Sequence, residues 1–481
     1  MKATLLKKKM LLAGEWVSGE EVIDVINPQN NEIIAQVPSA SKEDAQLAIK
    51  EGIKGAAIAS QLSTFERMGI LNNAANWIEE RQEIFATTIA LEGSKTIREA
   101  RKEVSRCIQT IRISAEEARR LHGETIPFDQ MPGNENRVGY YYRFPIGLVV
   151  AITPFNDPLN LVAHKLGPAI AAGNAIIIKP ATVTPLSALL LAQAFEEAGL
   201  PKKVLSVITG HSWEIGDALV SDPAVRMVSF TGGVEAGKII STKAPLKKMS
   251  MELGSNSPCI VLNDANIKEA VDAIVSGAFW AAGQNCLGVQ RVYIQEEVYE
   301  SFKTEFVNRT LQYRIGDKLD ELTDMGPLIT EKEATRIETL VNEAVLQGAE
   351  ILCGGTRNGA FYTPTVLTNV RSDSKVAQEE IFGPVVILDC FDHLNDAIEK
   401  SNAVPYGLQA GIFTKNLDKA FQAIGQMEVG GIMINDSSDF RIDAMPFGGV
   451  KQSGIGREGV SFSIQEMTEL KVVCFKLEKF S

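Results

Sequence analysis

Apolar and polar positions fall into two regimes along this chain. Residues 14–40 read as short strands broken by turns at Asn27-Pro28 and Val37-Pro38. Helical spacing then takes over. Ser41-Lys-Glu-Asp44 has the form of a capping box with Asp in the Glu position, and it opens a helix to about residue 60. A second helix is expected over 64–91 and a third over 97–121, with Arg81, Arg98, Arg101, Arg106 and Arg112 on solvated faces. Residues 124–143 lose that period, and Tyr140-Tyr-Tyr142 suits an edge strand or an oligomer contact.

From Gly147 short apolar runs alternate with amphipathic stretches. Strands are expected at 148–152, 175–179, 204–209 and 225–230, and helices at 157–172, 184–198, 213–220 and 233–241. Asp157 before Pro158 reads as an N-cap followed by proline at the first helical position. A second such segment covers 255–435. Its strands are expected at 258–262, 290–295, 364–367, 385–390, 409–413 and 430–435, and its helices at 266–282, 297–313, 331–347, 393–401 and 416–426. Alternation of this kind means parallel βαβ units, which bind ligands at the carboxyl ends of their strands. The tail, 468–476, alternates enough to form a strand and is expected to pair with 124–143, in this subunit or a neighbour.

The chain's 481 residues suffice for two or three domains. A net charge of −12 argues against nucleic acid or an anionic membrane as partner, since both want basic patches. Six scattered cysteines without a CxxC, and four distant histidines, argue against a disulfide framework or a metal site. No run reaches the ~18 apolar residues of a membrane span. The apolar run at 10–13 is too short for a signal peptide. A soluble protein of the reducing cytoplasm is expected, where a lone thiol stays available.

Two motifs mislead. Gly454-Ile-Gly-Arg-Glu-Gly459 is a literal GxGxxG, but no strand precedes it and too little chain follows for a dinucleotide-binding unit. Its glycines suit a tight, irregular loop. Gly232-Gly-Val-Glu-Ala-Gly-Lys238 approaches a nucleotide-triphosphate loop, but Ile239 stands where a magnesium-binding hydroxyl belongs. A glycine turn at a helix N-terminus still suits a diphosphate.

Gly283-Gln-Asn-Cys286 puts one thiol on a turn between a helix and a β-rich run at 289–295. That suits a nucleophile, although free cysteine is more often a small buried hydrophobe. Around it stand Thr153-Pro-Phe-Asn156, Lys179-Pro180, Phe230-Thr-Gly-Gly233, Glu252-Leu-Gly254, Glu380-Ile-Phe382-Gly-Pro384 and Pro446-Phe-Gly-Gly449. In this order, and over essentially the whole chain, they resemble the aldehyde dehydrogenase superfamily. The stretches FNDPLNLVAHK and GGVKQSGIGREG look most like its lactaldehyde dehydrogenase branch.

The resemblance implies two Rossmann-like parallel-sheet α/β domains and a small oligomerisation β-arm. The NAD(P)-binding domain would comprise 1–123 and 144–253, the catalytic thiol domain 254–450, and the arm 124–143 with 451–481. Cys286 would attack the aldehyde, Asn156 would hold the oxyanion, and Glu252 would activate water to hydrolyse the thioester. Thr153, Pro154, Phe155, Lys179, Thr182, Phe230, Thr231, Gly232, Gly233, Leu253, Glu380 and Phe382 would line the site of NAD or NADP. Thr182 stands where NAD-preferring members often carry Glu, so it permits the 2′-phosphate of NADP. Gly233 replaces the commoner Ser, and Ser255-Asn256 replace Gly-Lys without an evident reason.

A small aldehyde is the implied substrate, of lactaldehyde or glyceraldehyde type, and the protein is expected to be a homodimer or homotetramer. Arg441, just before the PFGG segment, and Arg106 are candidates to grip a carboxylate, sulfonate or phosphonate. Succinate semialdehyde, sulfolactaldehyde and phosphonoacetaldehyde therefore stand as alternative substrates. A CoA-acylating relative is disfavoured by the presence of Glu252, and a silent binding protein by the intact set of reactive residues.

Overall fold

A computed structural model describes residues 6–244 and 246–478. The extreme ends of the expected first and last segments, 1–5 and 479–481, lie outside it.

Two largely parallel sheets organise the chain. The first has the strand order Gly454–Ile455, Lys248–Glu252, Val225–Thr231, Leu148–Ile152, Ala175–Lys179, Leu205–Val207, Met10–Leu12 and Glu15–Val17. Its five central strands are parallel. Two of them, Leu148–Ile152 and Ala175–Lys179, are almost continuously apolar and buried, as a sheet covered on both faces requires. The second sheet runs Glu350–Cys353, Thr365–Thr368, Val385–Phe391, Val289–Gln295, Ser257–Val261, Gln409–Phe413, Gly431–Ile434, and only the first of these is antiparallel to its neighbour. A third, antiparallel sheet joins Thr468–Lys476, Arg137–Pro145 and Glu124–Ile126, so the tail pairs with the excursion of its own chain. This is the expected α/β architecture with a β-arm.

Local signals explain several helix starts. Ser41 with Asp44, Ser63 with Glu66 and Thr96 with Glu99 all form reciprocal capping boxes. The helix expected over 64–91 is instead two, Thr64–Glu79 and Gln82–Glu92. The break falls at Arg81. Its guanidinium lies over the Trp77 ring and donates to the Trp77 carbonyl, the acceptor that the Arg81 N–H would use in an unbroken helix. That N–H turns to Ile78.

The GxGxxG segment joins the first sheet. Gly454–Ile455 pairs antiparallel with Met251–Glu252, with Gly454 opposite Glu252. A Cβ at Gly454 would lie 2.4 Å from the Met251 carbonyl oxygen, so only glycine allows this approach. No helix among the described residues is long and apolar enough to cross a membrane.

Candidate active site

The thiol turn begins where a helix ends early. Ile267–Phe279 stops short of the expected residue 282. Ala281 and Ala282 adopt left-handed backbone angles (φ 51° and 56°), followed by Gly283. Such angles cost a residue with a Cβ roughly 1–2 kcal/mol each, so the surroundings must hold them. Glu99 accepts the Ala281 N–H at 2.8 Å. The Gln284 amide donates to the Ala281 carbonyl at 3.0 Å and accepts the Ile329 N–H at 2.9 Å. A Cβ on Gly283 would lie 2.2 Å from the Gly383 carbonyl oxygen, so the Glu380–Pro384 segment is seated directly on the turn.

Two cavities meet at Cys286. The larger, about 550 Å³, is lined by every cofactor residue expected from sequence, together with Asn156, Glu252 and Cys286. The smaller, about 240 Å³, shares Asn156, Leu161, Gln284 and Cys286 with it. It adds Lys95, Lys102, Arg106, Asp157, Asp439 and Arg441. Both expected substrate arginines thus face one space with the thiol.

The larger cavity fits a dinucleotide. It lies at strand carboxyl ends: Thr153 follows Leu148–Ile152, Lys179 ends Ala175–Lys179, and Thr231 ends Val225–Thr231. The helix Val234–Lys243 begins at Gly233 with no side-chain cap, which leaves its first N–H groups for an anion. The Thr153 and Thr231 hydroxyls are buried with no protein partner. Lys179 donates only to the Pro180 carbonyl, and burial lowers its ammonium to about 8. The Thr182 hydroxyl donates to the Gly210 carbonyl. Ser255 N–H donates to Glu380 at 2.9 Å, and burial raises that carboxyl to about 7. Phe382 meets Phe155 edge-on, with ring centres 5.7 Å apart. A side chain at Gly233 would meet nothing within 4 Å, so the family's serine would fit there.

Burial dominates the electrostatics. It pushes the Cys286 thiol up to about 12. Arg441 opposes the rise, and Glu380, Glu252 and Glu458 add to it. Burial, then the charge of Glu458, holds Glu252 well above the usual carboxylate range, and neither Glu252 oxygen has a hydrogen-bond partner. Burial thus favours the neutral forms of the Cys286 thiol and the Glu252 carboxyl.

The Asp157 side chain does not cap a helix. The helix starts at Asn160, with Leu159 at its cap. The Asp157 carboxylate instead bonds Lys95, in the connection before Ile97–Ala118, and Arg106 on that helix. Arg106 also donates to Asp443 at 2.8 Å, and so is no simple solvated residue. Arg441 pairs with neither Asp439 nor Asp443. Its nearest acid is Glu458, at 3.5 Å.

Several supporting residues escaped the sequence reading. Glu458 bonds Lys165 in a fully buried pair behind Glu252. Its only sequence signal was its place within the glycine-rich tail. Asn256 now has a reason. Its amide donates to the Ala377 and Glu379 carbonyls, and its oxygen accepts from buried Arg291 at 2.6 Å. Gln290 bonds the same segment through Val376, Glu379 and Ile381. Together they fix the loop that carries Glu380.

The larger cavity lies at strand carboxyl ends and opens onto a thiol that a second, smaller cavity shares, an arrangement that suits an oxidoreductase. The chain belongs to the aldehyde dehydrogenase family, whose model matches residues 16–473, and is an NAD(P)-dependent aldehyde dehydrogenase. It is 49% identical over 458 residues to aspartate-semialdehyde dehydrogenase 1 of Pseudomonas canavaninivorans, covering 95% of this chain and 97% of that one. It is 46% identical to 3-sulfolactaldehyde dehydrogenase of Priestia aryabhattai, over 96% and 97% of the two chains. The crystal structure of NADP-dependent glyceraldehyde-3-phosphate dehydrogenase from Bacillus halodurans, complexed with NADP, superposes with a TM-score of 0.96. It shares 38% identity over 98% of this chain and all of that one.

Proposed function

We propose that this enzyme oxidises a short hydroxyaldehyde, of lactaldehyde or glyceraldehyde size, to its carboxylic acid through a thioester on Cys286. The observation that carries this reading is the position of Cys286 and Asn156 in the walls of both cavities, with Glu252 in the larger. The Cys286 thiol gives up its proton to water as its sulfur bonds the aldehyde carbon. The Asn156 amide and the Cys286 N–H receive the oxyanion. NAD(P)⁺, when bound, would accept the hydride and leave a thioester; Lys179 and Glu380 would hold its riboses, the Gly232-Gly233 turn its diphosphate, and Phe382 would pack near the nicotinamide ribose. In its ionised form Glu252 then takes a proton from the attacking water and passes it to the Cys286 sulfur as the S–C bond breaks.

A cavity of about 240 Å³ suits a chain of few carbons. Relatives named for aspartate semialdehyde and 3-sulfolactaldehyde agree with that length. Residues 1–123 with 144–253 form the cofactor domain and 254–450 the thiol domain. The exposed Leu470, Val472, Phe475 and Tyr140 on the third sheet suit a homodimer or homotetramer, and the unpaired cysteines suit the cytoplasm. Mass spectrometry of enzyme quenched during turnover tests the reading. An acyl adduct on the Cys286 peptide is expected, and turnover without one rules the mechanism out.

A further inference from the structure

Asn156, the expected oxyanion donor, stands in a link with no regular structure between Leu148–Ile152 and Asn160–Ala171. Pro154 and Pro158 lie on either side of it and bring no backbone donor. Backbone bonds reach the link at Thr153, whose N–H donates to the Lys179 carbonyl at 3.2 Å, and at Asp157, whose carbonyl accepts Leu161 N–H at 3.1 Å. Side chains supply the rest of its support, and they do so through Asp157. Its two carboxylate oxygens are held separately: Lys95 donates to Oδ1 and Arg106 to Oδ2.

Both cations are anchored in turn. Lys95 donates to Glu103 at 2.8 Å, and the other Glu103 oxygen accepts the Leu159 and Asn160 N–H groups at 2.8 and 3.0 Å. The bonds thus close a ring from Asp157 through Lys95 and Glu103 back to the backbone just after Asp157. Arg106 donates to Asp443 at 2.8 Å. Stability does not call for Asp157 here. Without it Lys95 would keep Glu103, Arg106 would keep Asp443, and the helix start would keep its acceptor. A third carboxylate, only 17% exposed, is desolvated with no unpaired charge left to neutralise. What it adds is a fixed point one peptide bond after Asn156.

We infer that Asp157 is a positioning residue for the oxyanion: clamped between Lys95 and Arg106, it sets where the Asn156 amide stands in the cavity that it shares with Cys286. Such placement matters because an oxyanion donor must lie about 2.7–3.1 Å from the developing charge, and a misplacement of about 1 Å costs roughly 100-fold in rate. Asp157 acts through Asn156 on the aldehyde carbonyl. Its effect is therefore the same whatever the rest of the substrate carries.

This inference rests on the reading of Asn156 as oxyanion donor, and its test separates the two. Rapid mixing measures the first turnover of NAD(P)H at saturating lactaldehyde and at saturating propionaldehyde. Asn156→Ala should slow it about 10²–10³-fold. Asp157→Ala should slow it about 10–100-fold and Asp157→Asn less, with the half-saturating aldehyde concentration changed less than about threefold. NAD(P) affinity by titration should stay the same. The double variant Asn156→Ala/Asp157→Ala should be no slower than Asn156→Ala alone, since the donor that Asp157 places is already gone. Losses that multiply in the double variant overturn the inference, and so does an Asp157→Ala enzyme as fast as the parent. A loss that differs between the two aldehydes also overturns it, by making Asp157 a substrate contact. Should Asp157→Ala fail to fold, Arg106→Gln releases Oδ2 alone and runs through the same cycle with Asn156→Ala. If Asn156→Ala leaves the first turnover as fast as before, the oxyanion reading itself falls, and this inference with it.

Discussion

Glu99 accepts the N–H of Ala281 across 182 residues of sequence, so the helical layer at the start of the chain grips the turn that presents Cys286. The same carboxylate closes the capping box with Thr96. Glu99→Ala should cost roughly 1–3 kcal/mol, because the Ala281 N–H is left buried without a partner. Urea unfolding measures the loss. Glu99→Gln keeps an oxygen for Ala281 and should lose less. Equal stability of all three proteins would show that the left-handed turn holds itself.

Cys286→Ala should lower kcat/KM by about 10⁴-fold or more, with NAD(P) affinity by titration nearly unchanged. Appreciable turnover would remove the thiol from the mechanism.

Glu252→Gln should give a first burst of NAD(P)H followed by a steady rate about 10²–10⁴-fold lower, with acyl-enzyme accumulating. Rapid-mix absorbance reads both phases. A variant with neither burst nor acyl-enzyme would place Glu252 before the thioester.

Burial raises the Cys286 thiol from 9.0 to about 12. The protonated form is therefore favoured throughout the neutral range, and the thiolate fraction should climb about tenfold per pH unit. Alkylation of the Cys286 peptide by iodoacetamide, followed by mass spectrometry from pH 7 to 10, should rise without levelling. Exposed Cys474 serves as the internal comparison. A plateau at Cys286 below pH 9 would mean that Arg441 outweighs burial.

Leu470 and Val472 are exposed on a strand whose other edge pairs with Arg137–Pro145. Replacing both by Lys should reduce the molar mass measured by light scattering, since charges on such a face oppose pairing of copies. An unchanged mass would move the subunit contact elsewhere.

Local spacing carried much of the fold into view. Parallel strands announce themselves as short apolar runs, and the capping boxes at Ser41, Ser63 and Thr96 involve residues three apart. Contacts made across the chain stayed hidden. Nothing in the sequence around Asp157 reveals Lys95 and Arg106, which lie 62 and 51 residues away. Alanine gives no warning of a left-handed turn, so the helix was carried through Ala281 and Ala282. Asn256 made sense only once Arg291 and the Ala377–Glu379 backbone had closed around it. The motif order supplied candidate site residues, but not the seating of Arg441 between the Glu458 carboxylate and the Phe447 ring.

The pairing of Gly454 with Glu252 also bears on how the protein is made. A ribosome delivers Glu252 long before Gly454, 202 residues later (454 − 252). At about 5–20 residues per second, the strand bearing the base waits roughly ten to forty seconds with an open edge. A nascent chain in that interval already has five parallel strands but cannot yet pair the edge strand that carries Glu252. A strand made about 200 residues after Glu252 thus closes the sheet edge beside it.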